Sequence, residues 1–184
     1  MKRIGIFGGS FDPVHDGHIH LAALAKEAAC LDEVWFLPCQ ISPHKTDQPL
    51  SPGAARVEWL HAALAGVPWA KIDLTELETE GPSFSYATME RLASLHPGNE
   101  WFWIMGGDQW SALSTWKHPE ILSSLAEFIV LARDGAEVLP REGYRMTPVS
   151  GEHPASATAI RNALAAGETD IPHLDPTVAR MILK

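Results

Sequence analysis

Short apolar runs alternate along the chain with longer segments of helical periodicity. The runs are too short for helices and are bounded by glycine, proline or polar residues, so they predict strands at Arg3–Phe7, Glu33–Leu37, Ala70–Leu74, Trp101–Met105, Glu127–Ala132 and Tyr144–Val149. Apolar residues spaced three and four positions apart predict helices at His18–Cys30, Ala54–Ala65, Tyr86–Leu95, Pro119–Leu125, Ser156–Ala166 and Pro176–Leu183. Residues 40–53 are polar and proline-rich, which predicts a loop.

This alternation indicates an α/β fold, and central strands that are apolar throughout indicate a sheet covered on both faces. We therefore predict a Rossmann-like doubly wound sheet, mainly parallel, with helices on both faces. A chain of 184 residues suits one domain, which we predict to span residues 1–184. Ligands of such folds bind at the carboxyl ends of the strands, so polar residues that directly follow strands carry the most functional information.

Composition restricts the partners. Lys and Arg number 14 against 23 Asp and Glu, which gives a net charge of −9. Such an acidic chain is unsuited to nucleic acid or an anionic membrane, so an anionic ligand would need a local pocket that opposes the overall field. Two cysteines and no apolar run near the roughly 18 residues that span a bilayer predict a cytoplasmic protein. The sequence leaves open whether the protein forms a homo-oligomer.

The segment Gly8–His18, between the first predicted strand and helix, carries the strongest chemical signal. Its glycines would let the backbone approach a phosphate, and a helix start directs free N–H groups at an anion. His15 and His18 are three positions apart, so both imidazoles can face one anion. The alternatives are an ordinary strand–helix turn and a zinc site that includes His20, for which no well-spaced fourth ligand is present.

The pattern Gly9-x-Phe11-x-Pro13-x-His15-x-Gly17-His18 resembles the signature of the nucleotidyltransferase superfamily with the H-x-G-H motif. Its members include nicotinate and nicotinamide mononucleotide adenylyltransferases, phosphopantetheine adenylyltransferase and several cytidylyltransferases. Near the other end of the chain, Ser156-x-Thr158-x-x-Arg161 resembles the superfamily's S-x-T-x-x-R motif, which contacts the ATP phosphates. Hydroxyls at a helix start and an arginine one turn later can clasp a phosphate, although the same residues also suit a capped helix with a solvated arginine.

Three further segments resemble the nicotinate mononucleotide adenylyltransferases. They are Pro43-His44-Lys45, the run from Pro82 to Met89, and Gly106-Gly107-Asp108 followed by Leu113 and Trp116. The second segment resembles the family's P-S-Y-T-x-x-T-L and departs from it at Phe84, Ser85 and Met89. The resemblance implies that Asp108 binds a ribose and that Trp116 stacks on the pyridine ring, for which an aromatic face is well suited. A loop-capping aspartate and a core tryptophan are the structural alternatives.

The resemblance implies a direct in-line attack of nicotinate mononucleotide on ATP, without a covalent enzyme intermediate. The implied catalytic residues are His15, His18 and Arg161, whose positive charge would join that of Lys45 and Mg²⁺. The implied ATP-binding residues are Gly8, Gly9, Ser10, Phe11, Gly106, Asp108, Ser156 and Thr158. The implied substrate-binding residues are Lys45, Ser85, Thr88, Trp116 and Arg133.

Mg²⁺ is expected to be held mainly by ATP phosphates and water, so no protein ligand is named. Two alternatives remain open. One is a sister enzyme that acts on nicotinamide mononucleotide, phosphopantetheine or a cytidylyl substrate, and the other is a non-catalytic nucleotide-binding module of the same fold.

Overall fold

A sheet of six parallel strands runs through the part of the chain that the structure, a computed structural model, describes: residues 1–41, 49–79, 81–132 and 137–184. The strands are β1 (Arg3–Gly9), β2 (Glu33–Pro38), β3 (Ala70–Ile72), β4 (Glu100–Gly106), β5 (Glu127–Ala132) and β6 (Met146–Ser150). Their order is β3-β2-β1-β4-β5-β6, and every neighbouring pair is parallel. The predicted doubly wound sheet is confirmed, with the change of winding direction between β3 and β4.

Helices follow the strands at nearly the predicted positions. They are α1 (Asp16–Ala28), α2 (Gly53–Ala63), α3 (Ser85–Leu95), α4 (Gly107–Ser111), α5 (Pro119–Leu125), α6 (Ala157–Ala165) and α7 (Pro176–Ile182). The ends of the predicted elements agree to within about two residues. The sequence did not predict α4 or the 3-10 turn Leu113–Thr115, because segments of three to five residues are too short to show a period.

Both faces of the sheet are buried, which explains why its strands are apolar throughout. Successive residues of a strand point to opposite faces, so Ile6 and Phe7 of β1 lie in different hydrophobic clusters. The cluster that contains Phe7 includes residues of α1, α2, α6 and α7. The cluster that contains Ile6 includes residues of α3, α4 and α5. The prediction of helices on both faces is therefore confirmed.

The centre of the sheet is the place where this topology favours a ligand. β1 lies between β2 and β4, and the connections that leave β1 and β4 go to opposite sides. A crevice opens at the carboxyl ends of two such strands, since neither connecting loop covers the other. Within the described residues, no helix is long and apolar enough to cross a membrane.

Candidate active site

The turn that follows β1 is held in place by Phe11. This residue has a φ of 47°, and its ring is 1% exposed between Phe7 and Phe36. The ring folds back over Gly9, where a Cβ would lie 3.1 Å from it. Glycine at position 9 therefore suits the close approach of an aromatic ring, because a Cβ would require the ring to shift. Any contact of Phe11 with ATP must come through its backbone, because the side chain belongs to the core.

His15 and His18 meet at the start of α1. His15 occupies the position before the helix, and the two rings stack with their centroids 3.8 Å apart. The backbone N–H of His15 donates to Nδ1 of His18 at 3.2 Å. A neutral imidazole that accepts at Nδ1 carries its proton on Nε2, so His18 presents an Nε2–H donor. Nδ1 of His15 is buried and has no hydrogen-bond partner among the described residues.

Gly17 makes this arrangement possible. A Cβ at position 17 would lie 3.0 Å from Nδ1 of His15 and 3.2 Å from the Cβ of Ala155. A side chain here would displace either the His15 ring or the segment that precedes α6. The glycine between the two histidines thus has a packing reason, which the pattern of the sequence alone does not reveal.

Burial determines the charge of both imidazoles. Desolvation, with a smaller contribution from nearby His153, lowers the pKa of His15 from 6.5 to about 4. Desolvation, together with the adjacent His15, lowers the pKa of His18 from 6.5 to about 3. Both rings are therefore neutral near pH 7 in this structure. In this structure they can act as neutral hydrogen-bonding groups, and the expectation that they supply positive charge beside ATP stays a prediction.

Arg161 joins the two motifs, which are far apart in the sequence. Its guanidinium donates to the backbone oxygen of Asp12 at 3.0 Å, within the turn between β1 and α1, and to Oγ1 of Thr158 at 3.3 Å. Ser156 caps α6, because its Oγ accepts the N–H of Ala159 at 3.4 Å. The exposed Arg161 therefore brings a permanent positive charge to the turn that holds His15.

The end of β4 lies beside the turn after β1, because these two strands are neighbours in the sheet. Gly106 ends the strand, and Asp108 lies one residue inside the short helix α4. Oδ1 of Asp108 would lie 2.6 Å from a Cβ at Gly106, so the carboxylate folds back over a position that only glycine can occupy without a shift. Asp108 is exposed and can accept hydrogen bonds from a sugar diol.

The predicted substrate-binding residues differ in how available they are. Ser85 begins α3 and is half-buried. Thr88 is 6% exposed, and its hydroxyl donates to Oε1 of Glu76 at 3.0 Å and also lies 3.3 Å from the Phe84 carbonyl. Its hydroxyl proton is therefore used inside the protein. Trp116 is half-buried, with its ring edge-to-face against Trp103 at 6.4 Å.

Two of the predicted substrate-binding residues, Lys45 and Arg133, lie outside the described residues. Among the described residues that the sequence analysis did not predict are two buried ionisable side chains, Arg56 and Glu76. Arg56 of α2 is 1% exposed, and Glu76 is 6% exposed, where burial raises the pKa of its carboxyl group. The sequence did contain a signal that Arg56 is buried. Arg56 precedes Trp59 by three positions and Leu60 by four, which places all three residues on one face of α2.

Comparison with known proteins finds relatives that match most of this chain. Residues 6–163 match the model of the family described as cytidylyltransferase-like. A nicotinate-nucleotide adenylyltransferase of Bacillus subtilis is 41% identical over 138 residues, which are 75% of this chain and 73% of that protein. A protein of Geobacillus kaustophilus named as a probable nicotinate-nucleotide adenylyltransferase is 35% identical over 185 residues, covering 100% of this chain and 84% of that protein.

A solved structure shares the fold. Nicotinic acid mononucleotide adenylyltransferase of Plasmodium falciparum, complexed with NaAD, superposes with a TM-score of 0.75 at 21% identity, over 100% of this chain and 95% of that one. From the match over residues 6–163 and the identity to the curated relatives, we conclude that the chain belongs to the cytidylyltransferase-like family and, within it, to the nicotinate-nucleotide adenylyltransferases.

Proposed function

We propose that this protein joins nicotinate mononucleotide to ATP, producing nicotinate adenine dinucleotide and pyrophosphate in NAD biosynthesis. Relatives that bear the name of this activity match most of the chain. The observation that carries the proposal is the 3.0 Å hydrogen bond from Arg161 to the Asp12 carbonyl. Through it a guanidinium reaches the turn that ends in His15, so a single triphosphate could contact both motifs.

The chemistry requires positioning more than proton transfer. The 5′-phosphate of the acceptor has a second pKa near 6, so it is largely ionised at pH 7 and needs no general base. One of its oxygens forms a bond to the α-phosphorus of ATP, and the bond from that phosphorus to the bridging oxygen of the β-phosphate breaks. Repulsion between the anions opposes this step, and well-aimed hydrogen-bond donors and cations offset it.

The proposal assigns parts to residues of both motifs and of the segment that follows β4. The Nε2–H of His18 and the guanidinium of Arg161 donate to phosphate oxygens, while the backbone of residues 8–10 allows close approach. Asp108 accepts from ribose hydroxyls, and the exposed part of Trp116 contacts the pyridine ring. Ser156 and Thr158 hold the start of α6 and thereby orient Arg161.

The nucleotide would arrive as its Mg²⁺ complex, in which phosphate oxygens and water hold the ion. Among the residues that the structure describes, no three His, Cys, Asp or Glu side chains converge in a way that could hold a metal independently. The proposal treats residues 1–184 as one domain, since Arg161 of the C-terminal motif bonds to the turn after β1.

A panel of acceptors tests this function. Pyrophosphate release would be measured with ATP and nicotinate mononucleotide, nicotinamide mononucleotide or phosphopantetheine, and with CTP and a cytidylyl acceptor. We expect the highest kcat/KM with nicotinate mononucleotide and ATP. A higher value with another acceptor would assign the protein to a sister activity. Binding of ATP without pyrophosphate release from any acceptor would make it a nucleotide-binding module.

A further inference from the structure

Arg56 is the largest side chain that the described fold buries completely, and the mechanism above does not use its charge. It lies on α2 and is 1% exposed. Removing a guanidinium from water costs free energy, which hydrogen bonds or a counter-charge must offset. No carboxylate within the described ranges forms an ion pair with it. None of the described carboxylates therefore neutralises the positive charge of Arg56.

Three backbone carbonyl oxygens satisfy this guanidinium. Nε donates to Ser51 at 2.9 Å, one terminal nitrogen donates to Ser10 at 2.8 Å, and the other donates to Cys39 at 2.9 Å. The Ser10 carbonyl belongs to the turn after β1, and the Cys39 and Ser51 carbonyls lie near the two ends of the connection between β2 and α2. Neutral carbonyls accept hydrogen bonds without cancelling the positive charge, so Arg56 links these two connections and stays a cation.

The bond to Ser10 fixes the orientation of a peptide in the candidate phosphate-binding turn. In a trans peptide the C=O of one residue and the N–H of the next point in opposite directions. Since the Ser10 carbonyl points at Arg56, the N–H of Phe11 points away from it. That N–H donates no hydrogen bond among the described residues. The turn is further fixed because Oδ2 of Asp12 accepts the N–H of Ser51 at 3.1 Å.

We propose that Arg56 is a positioning residue for adenylyl transfer, which aims the Phe11 N–H at a phosphate of ATP and adds a permanent positive charge beneath the turn. This inference rests on the proposed function and extends it to a residue that does not touch substrate. The positive charge of Arg56 matters because the two stacked imidazoles of the turn are neutral. Arg56 therefore adds to the charge that Arg161 brings to the turn. Lysine could retain the charge but not the three-pronged set of hydrogen bonds.

The test separates charge from geometry with Arg56→Lys and Arg56→Gln in the full chain. The dissociation constant of MgATP would be measured by calorimetry, and kcat with nicotinate mononucleotide would be measured well below each variant's Tm. We expect Arg56→Lys to bind MgATP within about threefold of wild type and to lose about tenfold in kcat. We expect Arg56→Gln to lose about tenfold or more in both. Arg180→Gln, which removes an exposed arginine on α7, is the control and should change neither value.

The outcomes are distinguishable. A folded Lys or Gln variant with wild-type kcat and affinity would overturn the inference, and so would equal losses in both variants, since these indicate a structural clamp only. If neither variant folds, the role of Arg56 is to stabilise the fold, and the inference is overturned as well. If wild type itself releases no pyrophosphate with any acceptor, the proposed function fails before Arg56 is at issue.

Discussion

His15 and His18 stack at 3.8 Å, and a charge on both rings at that distance would be strongly unfavourable. Burial and proximity therefore act in the same direction and keep both imidazoles neutral. A neutral ring still donates one N–H, and its dipole needs no counter-ion. At the residue scale, the site thus combines neutral donors from α1 with a permanent cation, Arg161, from α6.

Removal of the His18 imidazole tests its role as a donor. We expect His18→Ala to lose about 10²–10³ in kcat, the usual cost of removing one well-aimed donor in an active site. His18→Asn retains a neutral N–H donor and should recover part of that loss. His61→Ala, which removes an exposed histidine of α2, is the control for steady-state kinetics. Near-normal turnover of His18→Ala would exclude the role.

The lowered pKa values of His15 and His18 also predict how stability depends on pH. Between pH 6.5 and these lower pKa values, the unfolded chain binds more protons than the folded one. The resulting stabilisation is complete above pH 6.5 and is lost as the pH falls toward about 4 for His15 and about 3 for His18.

We therefore expect Tm to fall between pH 7 and pH 5 more steeply in wild type than in a His15→Asn, His18→Asn double variant. One kcal/mol corresponds to roughly 2–4 °C in a chain of this size. Thermal unfolding followed by circular dichroism measures the difference. Parallel pH profiles for the two proteins would show that the imidazoles are not linked to folding.

At the scale of elements, the start of α1 is built by packing rather than by helix propensity. Gly17 is a poor helix former, yet it lies in the first turn of α1 because the His15 ring and Ala155 occupy the space of a side chain. Glycine at position 17 lowers the local stability of the helix but leaves room for the two stacked imidazoles. At Gly9, which ends β1, the Phe11 ring likewise occupies the space of a side chain.

Substituting Gly17 tests this packing. A Cβ at Gly17 would press against the His15 ring at 3.0 Å and against Ala155 at 3.2 Å. We expect the ring to shift, so Gly17→Ala should reduce kcat/KM by about tenfold, on the scale of a misplaced catalytic group. Gly66→Ala is the matched control, because a Cβ there has nothing within 4 Å. Steady-state kinetics and Tm, measured on both variants, distinguish a displaced His15 ring from a general loss of stability. An active Gly17→Ala protein would show that the His15 ring is not held by this contact.

Element boundaries show how far local pattern extends. The runs 127–132 and 119–125 were predicted with the observed ends, because a buried strand and a proline at a helix start leave clear signals. α4 was missed, since glycine–glycine–aspartate indicates a turn as readily as a helix start. Asp108 lies within α4, where its carboxylate folds back over Gly106.

At the scale of the molecule, the amino ends of the strands are held by ion pairs, away from the candidate site. Glu33 of β2 bonds to Lys2 at 2.5 Å and to Lys71 of β3 at 3.0 Å. Burial opposes ionisation of Glu33, but the hydrogen bonds from Lys2, Trp35 and Lys71 outweigh it and lower the pKa to about 2. This group joins the N-terminal segment to two strands.

Neutralising Glu33 should therefore lower stability in a pH-dependent manner. A depressed carboxyl pKa stabilises the fold above the unfolded value of 4.5, and this stabilisation is lost as the pH falls toward 2. We expect Glu33→Gln to cost about 1 kcal/mol at pH 7, since both lysines are half exposed to solvent. The difference from wild type should shrink on acidification to pH 3. A constant difference in denaturant unfolding across that range would contradict the ion-pair explanation.

The sequence by itself determined the α/β fold, the order of its elements and the residues of both motifs. These properties depend on local periods and on short runs of residues, which do not require knowledge of distant contacts. It also indicated His15, His18 and Arg161, because their spacing resembles two motifs of the nucleotidyltransferase superfamily and their side chains suit a phosphate.

Only the tertiary structure decided what those residues can do together. The bond of Arg161 to the Asp12 carbonyl joins residues 149 positions apart, and the neutrality of both imidazoles follows from their burial in the folded chain. The three carbonyls around Arg56 likewise come from two different connections, the turn between β1 and α1 and the loop between β2 and α2. Charge state and hydrogen-bond direction depend on solvent exclusion and on neighbours in space, which the folded chain supplies.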